Sequence, residues 1–464
     1  MKKNRFLVPM LFGLLFLSGC AGGTAAAPSA TSAVLTPTVV IAATPTVTPD
    51  VDVDVQKLKG MQVTLIHPWS GELAKLMDSL VAEFNQTNTW GIQITVEAPG
   101  SAGSLQNSLT EDLQTSLSPE IIVAPIDELL ALNQKKQTVA DLSPYVTSKK
   151  WGMDETTIQN YLPVFWDQDV VNGYRYGIPA ERSAKVMLYN KTWATELGYT
   201  NAPVTPEEFQ SQVCAAHASL KLDSDKTNDS LGGWVIDTDT LTMTSWATAF
   251  GTPLETDGKL KFATPELDKT FTYLRTLLDM GCAWNGKETS FYNYFAKRQT
   301  LIYSADLQEL TNQQMAQTVA GSTDEWVVIP YPTTGKTFIL TQGPSYAMLT
   351  ASPEKQLAAW LFIRWMGSPD HYGAVVKASN TLPLGENLIN YSIELEDTLP
   401  QWKEAVNLLQ DSQTIPADAN WGNAKMIWED AAWQLFKTDV KTAQIPALTT
   451  QMDVTLKELE GASQ

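Results

Sequence analysis

Strand-like and helix-like patterns alternate through the first third of this 464-residue chain. The stretch MQVTLIHPW, residues 61–69, alternates in apolar character and predicts a strand, and ELAKLMDSLVAEFNQTN, residues 72–88, carries apolar residues at helical spacing. A second strand is predicted at 91–99, a second helix at 104–117, and a buried strand breaking into a helix at 119–132. Strands separated by helices return in the same direction and pair in parallel. The order therefore predicts an α/β fold with a helix-covered parallel sheet.

The rest of the chain continues this alternation without an internal repeat. Gly173 suits a hairpin turn, and Thr205 followed by Pro206 is typical of a helix N-terminus. About 400 residues follow the N-terminal leader described next, which is too long for one simple core and indicates two lobes.

The first 19 residues predict a secretory signal peptide. Three basic residues precede an apolar core, Leu7–Leu17, that is shorter than the roughly 20 residues needed to span a bilayer. The four residues that end at Cys20, Leu-Ser-Gly-Cys, resemble the bacterial lipobox, in which the cysteine receives a diacylglyceryl group and becomes the new N-terminus. An ordinary signal peptide with a chance cysteine is the alternative. The lipobox reading predicts a lipidated Cys20 and a firm membrane anchor.

Residues 20–58 have the composition of a tether. Alanine, threonine, proline and valine dominate, and aromatic and charged side chains are nearly absent. Such a segment cannot build a core, and its prolines favour an extended, solvated chain. We expect a disordered connection with a reach of roughly 30–35 Å.

Charge, histidine and cysteine content exclude several classes of function. The net charge is −19, and −22 without the three basic residues of the leader, which argues against binding to nucleic acid and against lying on anionic lipid. The three histidines, His67, His217 and His371, lie far apart, so no metal site is expected. Outside the cytoplasm, Cys214 and Cys282 form either a disulfide or two separate buried thiols.

Five segments, in order, point to a known family. They read TLIHPWSGELAKLMDSLVAEFNQTN, VNGYRYGIPAERSAKVMLYNK, FAKRQTLIYSADLQEL, WVVIPYP followed by GPSYAMLTASPEKQLAAWLFIRWMGSPD, and SNTLPLGENL. Together they resemble the extracellular solute-binding proteins of ABC importers, in the carbohydrate-binding class that includes the maltose-binding and glycerol-3-phosphate-binding proteins. The resemblance covers roughly residues 61–450.

The resemblance implies a two-lobed α/β fold of the periplasmic-binding-protein type. Each lobe is expected to be a helix-flanked, mostly parallel sheet, and the chain is expected to cross the hinge more than once. Carried onto this chain, lobe one comprises residues 61–172 and 302–348, and lobe two comprises residues 177–300 and 352–464. Cys214 and Cys282 then fall in the same lobe, which makes their pairing sterically reasonable.

The resemblance also implies a function in transport. The chain is expected to be a lipid-anchored, monomeric binding protein at the extracytoplasmic face of a bacterial cell membrane, without enzymatic activity or cofactor. It would capture a mono- or oligosaccharide between its lobes and deliver it to the transmembrane subunits of an ABC permease. Glycerol 3-phosphate or one of its esters is the alternative ligand, and an extracellular glycoside hydrolase is the less favoured alternative function.

Ligand contacts are expected near the carboxyl ends of strands, as in other open α/β sheets, and at positions carried over from the family. The candidates are Trp69, Ser70, Glu72, Asp127, Arg182, Ser183, Trp234, Trp246, Ser304, Gly343, Tyr346 and Trp421. Trp69 either stacks on a sugar ring or caps the core. Arg182 replaces the smaller residue that is usual in the family, and it either binds an anionic or hydroxyl-rich ligand or forms a salt bridge at the hinge.

Other catalytic and metal-binding motifs are incomplete. GPSYA, residues 343–347, lacks the last glycine of a nucleophile elbow, and TTGKT, residues 333–337, ends like a phosphate-binding loop but has Pro330 where the first glycine is needed. DSDKTND, residues 223–229, begins like a calcium loop but has Asn228 in place of the glycine. Because the chain has 51 acidic residues, some pair of carboxylates is always available, so the presence of such a pair is no evidence for glycoside hydrolysis.

Overall fold

The computed structural model describes residues 51–97, 118–288 and 290–462. Its strands, in chain order, are β1 Gln62–Ile66, β2 Gln93–Glu97, β3 Ile121–Ala124, β4 Val170–Val171, β5 Tyr174–Arg175, β6 Ile178–Pro179, β7 Ser183–Asn190, β8 Trp234–Ile236, β9 Glu255–Thr256, β10 Lys259–Leu260, β11 Ala283–Asn285, β12 Ile302–Asp306, β13 Trp326–Ile329, β14 Ile339–Gln342, β15 Ser345–Met348 and β16 Ser412–Thr414. The helix predicted at 104–117 lies outside the described residues.

Two sheets organise the chain. The first has the order β2-β1-β3-β15-β6, and the second has the order β11-β8-β12-β7-β14-β16 with β13 also paired to β7. We call the structure built on the first sheet lobe one and the structure built on the second sheet lobe two. The pairs β4–β5 and β9–β10 form separate two-stranded hairpins.

Both sheets are mixed rather than mostly parallel. In lobe one, β1 pairs in parallel with β2 and β3, as the strand–helix alternation predicts, but β15 runs antiparallel to β3 and β6. In lobe two, β8 is parallel to β11 and β12, whereas β7 is antiparallel to β12, β13 and β14. Within these two sheets, every antiparallel pair includes β7 or β15, the strands that directly follow the first two crossings between the sheets.

The chain crosses between the sheets three times. The first crossing is the three-residue link from β6 to β7, and the second is the pair Gly343–Pro344 between β14 and β15. The third crossing returns the chain to lobe two at β16, which pairs with β14. The expectation of a hinge crossed more than once is thus met by the topology.

Helices flank both sheets. The α-helices are Gly71–Thr87, Ile126–Lys136, Ser143–Val146, Glu155–Gln159, Pro163–Gln168, Lys191–Glu196, Pro206–Leu222, Thr240–Ala249, Pro265–Asp279, Tyr292–Ala296, Leu310–Ala320, Pro353–Met366, Pro369–Ser379, Leu395–Thr398, Pro400–Val406, Trp421–Leu435 and Ile445–Ala462. Short 3-10 helices are Val55–Leu58, Leu307–Glu309, Glu386–Tyr391, Leu409–Asp411 and Thr442–Gln444.

Local sequence signals account for the boundaries of several elements. The helix Pro206–Leu222 begins with a capping box, in which Thr205 and Glu208 satisfy each other's backbone N–H groups. The turn between β4 and β5 places Asn172 and Gly173 at positive φ, as a two-residue hairpin turn requires. The helix start at Thr205 and the hairpin turn at Gly173 were predicted from residue identity, because capping and turn chemistry depend on neighbours in the sequence; the part played by Glu208 was not predicted.

The strand β7 connects two hydrophobic cores. Side chains alternate across a strand, so that Val186 and Leu188 pack in a core continuous with lobe one, while Met187 and Tyr189 pack in the core on the other face of the second sheet. All eight residues of β7 are buried. This explains why the segment reads as a nearly continuous apolar run rather than as an alternating strand.

The predicted lobe membership of residues 302–348 and 352–464 is corrected by the sheets. Strands β12, β13 and β14 belong to lobe two, and only β15 joins lobe one. The helix Pro353–Met366 then packs against β1 and β15, in lobe one. The physical reason is the short link after β15, which keeps the next helix on the sheet that the chain has just entered.

The predicted tether extends too far along the chain. Val55–Leu58 form a 3-10 helix, Leu58 is fully buried, and Lys57 forms an ion pair with Glu354 at 2.9 Å. Val53 is buried in the same core, so the packed structure begins within the valine-rich stretch. Residues 1–50, including Cys20, lie outside the described residues.

Cys214 and Cys282 are joined by a disulfide, with their Cα atoms 4.4 Å apart. The bond links the helix Pro206–Leu222 to the residue before β11, both in lobe two. No helix in the described part of the chain combines the length and the apolar character needed to cross a membrane.

Candidate functional site

Arg182 lies at the centre of the hinge and is fully buried. Each of its three side-chain nitrogen atoms donates to protein acceptors at 2.8–3.4 Å. The acceptors are the side chains of Gln168, Asp169 and Ser345 and the carbonyl oxygens of Glu181, Gly343 and Pro344. Arg182 thereby joins the first two crossings to each other and to lobe one.

This arrangement corrects the prediction that Arg182 binds the ligand. A guanidinium has five N–H donors and no acceptor, and here they are directed at protein oxygens. Burial raises the pKa of its partner Asp169, although the positive charge of Arg182 opposes that shift. The second reading of the sequence, a salt bridge at the hinge, describes what the structure shows.

Gly343 and Ser345 serve the same hinge. A Cβ atom at Gly343 would collide with the carbonyl oxygen of Glu181, so the two crossings approach this closely only with glycine there. Ser345 is fully buried and donates to Asp169 at 2.6 Å. A nucleophilic serine needs a histidine beside it, but the ring of His371 contacts the carbonyl of Trp365 instead. The GPSYA stretch is therefore part of the hinge and not a nucleophile elbow.

Carboxylates collect at the edge of the second sheet next to the hinge. β8 and β12 are parallel, and Asp237 and Asp306 lie at their carboxyl ends. Both form ion pairs with the buried ammonium of Lys185, at 3.3 and 3.2 Å, and Asp239 adds a third at 3.4 Å. Burial by itself lowers the pKa of Lys185, but the three carboxylates outweigh it and raise that pKa. The positive charge of Lys185 is thus fully balanced by carboxylates of the protein.

One ion pair joins the two lobes away from the hinge. Asp127, in the first turn of the helix Ile126–Lys136, accepts from the ammonium of Lys425 at 2.9 Å. Lys425 belongs to the helix Trp421–Leu435 of lobe two. Asp127 is 1% exposed in this pair. Burial and the charge of Asp127 raise the pKa of the neighbouring Glu128 to about 7.

A cavity of about 740 Å³ lies beside this ion pair, with walls from both lobes. Lobe one contributes Asn133 and Gln134 from the helix that carries Asp127, Gln137 directly after that helix, and Tyr176. Lobe two contributes the β9–β10 hairpin and the loop that precedes the helix of Lys425. The cavity therefore has what a solute site between lobes requires: polar groups from both sides and one aromatic ring.

Trp69 lies in a buried cluster at the carboxyl end of β1. Its indole is 6% exposed, meets Tyr346 edge to face at 6.1 Å, and donates from Nε1 to Glu181 at 3.2 Å. His67 contacts the same indole at 5.0 Å. Burial raises the pKa of Glu181 to about 7, and the bond from Trp69 opposes that shift. Trp69 and Tyr346 are both predicted ligand contacts, and the structure places them side by side. Their side chains pack against one another.

Trp234, Trp246 and Trp421 are at most 1% exposed and belong to the core of lobe two. Trp246 is surrounded edge to face by Phe209, Trp234 and Tyr331. Their prediction as ligand contacts is corrected to a packing role. Composition cannot separate a core indole from a cleft indole, because both contribute the same apolar area.

The remaining predicted residues are scattered. Ser70 precedes the helix Gly71–Thr87 without a side-chain capping bond, and Glu72 is exposed and paired with Lys75 at 2.7 Å. Ser183 donates to Gln308 at 2.7 Å, and Ser304 is buried in β12. Of the predicted contacts, Asp127 alone is placed directly at the ion pair beside the cavity.

Sequence reasoning missed Tyr176, Glu255, Asp418 and Lys425, which line the cavity or adjoin it. Tyr176 stands inside the quoted segment VNGYRYGIP, so the motif did contain a usable signal. The other three lie in a hairpin, a loop and a helix far apart in sequence. Within the described residues, no group of three or more His, Cys, Asp or Glu side chains is arranged to hold a metal ion.

Comparison with known proteins finds one family and many similar folds. A family model described as bacterial extracellular solute-binding protein matches residues 79–407, which is more than half of the chain. Curated protein sequences give no match. Similar solved structures include the cyclic alpha-maltosyl-1,6-maltose binding protein of Arthrobacter globiformis, with 18% identity, a TM-score of 0.71, and coverage of 86% of this chain and 99% of that chain.

Two further structures extend this comparison. The sugar-binding protein MalE of Xanthomonas citri has 18% identity and a TM-score of 0.72, covering 87% of this chain and 99% of its own. UgpB of Mycobacterium tuberculosis, in complex with glycerophosphocholine, has 16% identity and a TM-score of 0.70, covering 86% and 99%. At these identities the likeness concerns the fold, which is that of the two-lobed sugar-binding proteins.

Proposed function

Because the chain belongs to the family of bacterial extracellular solute-binding proteins, we propose that it captures a mono- or oligosaccharide between its lobes. In this proposal it delivers the sugar, chemically unchanged, to the transmembrane subunits of an ABC importer. The chain acts as a monomer, and no cofactor takes part.

The observation that carries the proposal is the cavity of about 740 Å³ between the lobes. Ligand sites in proteins commonly measure about 300–1,000 Å³. The side-chain amides of Asn133, Gln134 and Gln137 can each donate to and accept from sugar hydroxyls. Tyr176 adds an aromatic face against which the apolar face of a pyranose ring can pack.

Binding between lobes provides a mechanism of capture. A solute that touches both walls binds the closed arrangement better than the open one, and this difference moves the population toward closure. A shift from 1:99 to 99:1 requires about 5.5 kcal/mol of differential binding. The Asp127–Lys425 pair contributes to the closed arrangement from within the protein. A closed shape then differs from an open one at the surface presented to a permease.

Two of the similar structures are named for sugars and one was solved with glycerophosphocholine. A sugar is favoured here over glycerol phosphate because three carboxylates, Glu255, Asp418 and Glu460, line the cavity against one ammonium, that of Lys259. The excess negative charge repels a phosphate. Three other cations near the hinge and cleft are already engaged: Arg182 by the crossings, Lys185 by three carboxylates and Lys425 by Asp127.

We further propose that Cys20 carries the lipid that holds the protein at the extracytoplasmic face of the membrane. A tether limits the protein to the volume near its permease and raises its effective concentration there. Metabolic labelling with a palmitate analogue tests this part separately. Label should appear on the wild type and be absent from Cys20→Ser, and label retained by Cys20→Ser would contradict it.

A thermal-shift screen of the mature protein over mono-, di- and oligosaccharides and polyol phosphates tests the main proposal, because a ligand that binds only the folded state raises the melting temperature. A saccharide hit should saturate in calorimetry and be recovered intact by chromatography. Tyr176→Ala should weaken the hit, and Tyr391→Ala, an exposed tyrosine outside the cavity lining, is the matched control. Cleavage of the sugar, or stabilisation by phosphates alone, would overturn the proposal.

A further inference from the structure

The wall of the interlobe cavity carries more negative than positive charge. Three carboxylates line it, Glu255, Asp418 and Glu460, against the single ammonium of Lys259. Within the described residues, none of the three carboxylates has a lysine or arginine within 4.0 Å. This differs from the carboxylates next to the hinge, which share Lys185.

Two of these carboxylates act on each other. Glu255 comes from the β9–β10 hairpin, and Asp418 comes from the loop before the helix Trp421–Leu435. Burial raises the pKa of Glu255, and the negative charge of Asp418 raises it further. Asp418 already accepts from the backbone N–H of Asn420 at 2.7 Å. Repulsion between like charges is costly, and a cationic group of the ligand near both carboxylates would relieve that cost.

The opposite wall offers a suitable surface for a cation. Tyr176 is half-buried and lines the cavity from lobe one. The negative face of an aromatic ring attracts an ammonium group. On the same side, the amide of Gln134 supplies an oxygen acceptor to such a group, and Asn133 Oδ1, which already accepts from the backbone N–H of Val139 at 3.2 Å, can accept a second bond. Negative charge on one wall and acceptors on the other therefore favour the same type of ligand group.

We propose that this cavity selects amine-bearing saccharides over neutral ones, and neutral ones over phosphorylated ones. The proposal rests on the proposed function, since it takes the cavity as the solute site. An ammonium on the sugar would lie near Glu255 and Asp418, while its hydroxyls meet the amides of lobe one. A phosphate in the same place would meet two carboxylates.

Three ligands with one backbone test this selectivity: maltotriose, the same trisaccharide with a primary amine at the reducing end, and the same trisaccharide with a phosphate there. Calorimetry on the mature protein at low salt should show the amine form binding about three- to tenfold tighter than maltotriose. The phosphate form should bind weaker by a similar factor. Raising the salt concentration should reduce both differences, because exposed charges are screened.

The variant Glu255→Gln/Asp418→Asn should lose the preference for the amine form, so that the ratio of its affinities for the amine form and for maltotriose falls to about one. Glu458→Gln, an exposed carboxylate on the same helix as Glu460 but outside the cavity lining, is the matched control and should leave the preference unchanged. Circular dichroism checks that each variant folds. Glu460→Gln removes the third carboxylate of the cavity wall and should reduce the preference for the amine form.

The outcomes separate the two proposals. If maltotriose binds the wild type as tightly as its amine form, or if the double variant retains the preference, the selectivity is overturned and capture of a sugar stands. If the phosphate form binds tightest, the selectivity is likewise overturned. If none of the three saturates and the sugar screen is also empty, both proposals fall together.

Discussion

The hinge and the Asp127–Lys425 contact both join the lobes, but they differ in burial and in redundancy. At the hinge, Arg182 and Asp169 are fully buried and six acceptors share one guanidinium. The other contact consists of the single ion pair between Asp127 and Lys425, and the side chain of Lys425 is 30% exposed. When the Asp127–Lys425 pair separates, water can solvate both charges at small cost. Water cannot reach the buried Arg182–Asp169 pair. One therefore suits a permanent pivot, and the other suits a contact that opens and closes.

The largest expected effect breaks the pivot. Arg182→Met leaves Asp169 buried without its partner, and removing one member of a buried pair costs about 3–5 kcal/mol. Urea unfolding followed by circular dichroism measures the loss. Lys191→Met, which removes an exposed ion pair with Glu325, is the control and should cost less than about 1 kcal/mol. Equal losses in the two variants would refute the distinction.

The next effect concerns pH at the buried side of the hinge. Burial of the carboxyl group raises the pKa of Glu181 in the folded protein to about 7, from an ordinary value of 4.5. Its contribution to stability is therefore complete below pH 4.5 and is lost as the pH rises through 7. Relative to Glu181→Gln, the wild type should lose about 3 kcal/mol of unfolding free energy between pH 4 and 8.

Unfolding free energies of both proteins across that range provide the measurement. Glu83→Gln, on the exposed face of the helix Gly71–Thr87, serves as a second comparison. A stability difference between wild type and Glu181→Gln that does not change with pH would show that folding does not shift the pKa of this carboxyl group.

A smaller effect tests the cavity side of the comparison. Tyr176→Ala removes the aromatic ring from the wall and should weaken binding of the saccharide found by the screen about five- to tenfold. Tyr176→Phe keeps the ring and should stay within about threefold of the wild type. Calorimetry measures both variants. If Tyr176→Phe loses as much affinity for the saccharide as Tyr176→Ala does, the phenolic hydroxyl and not the ring face makes the contact.

The smallest effect on stability belongs to the reversible contact. Lys425→Met should change the unfolding free energy by less than about 1 kcal/mol, because separation of the lobes lets water solvate Asp127. The same separation should raise the radius of gyration of the ligand-free protein in X-ray scattering. Lys425→Arg preserves the pair and should behave as the wild type. A loss of several kcal/mol with an unchanged radius would make this contact a second pivot.

Several features of the fold were predictable because they depend on nearby residues. The strand–helix alternation that leads to β1, β2 and β3, the capping box at Thr205 and the turn at Gly173 are each encoded within a few positions. The assignment of β12 to β14 to a sheet was not, because strand pairing joins residues more than a hundred positions apart: Ser304 lies opposite Met187. Local patterns identify a strand but not its neighbour.

The candidate site was less accessible than the fold. Asp127 could be picked out as the end of a buried strand, but its partner Lys425 lies 298 positions away on a helix with no distinctive motif. The tryptophans illustrate the opposite error: Trp234 and Trp246 have the right residue type and lie in the core. Whether an indole faces a core or a cleft depends on which elements cover it, and that is decided by packing.

By itself, the sequence determined the class of fold, the family and the elements whose ends are marked by caps and turns, since these follow from periodicity and from interactions a few residues long. Only the tertiary structure decided that Arg182 is a pivot, that Asp127 and Lys425 meet, and that Glu255 and Asp418 share one wall of a cavity. Charges act through space and solvent exposure, and neither quantity can be read from the order of the residues.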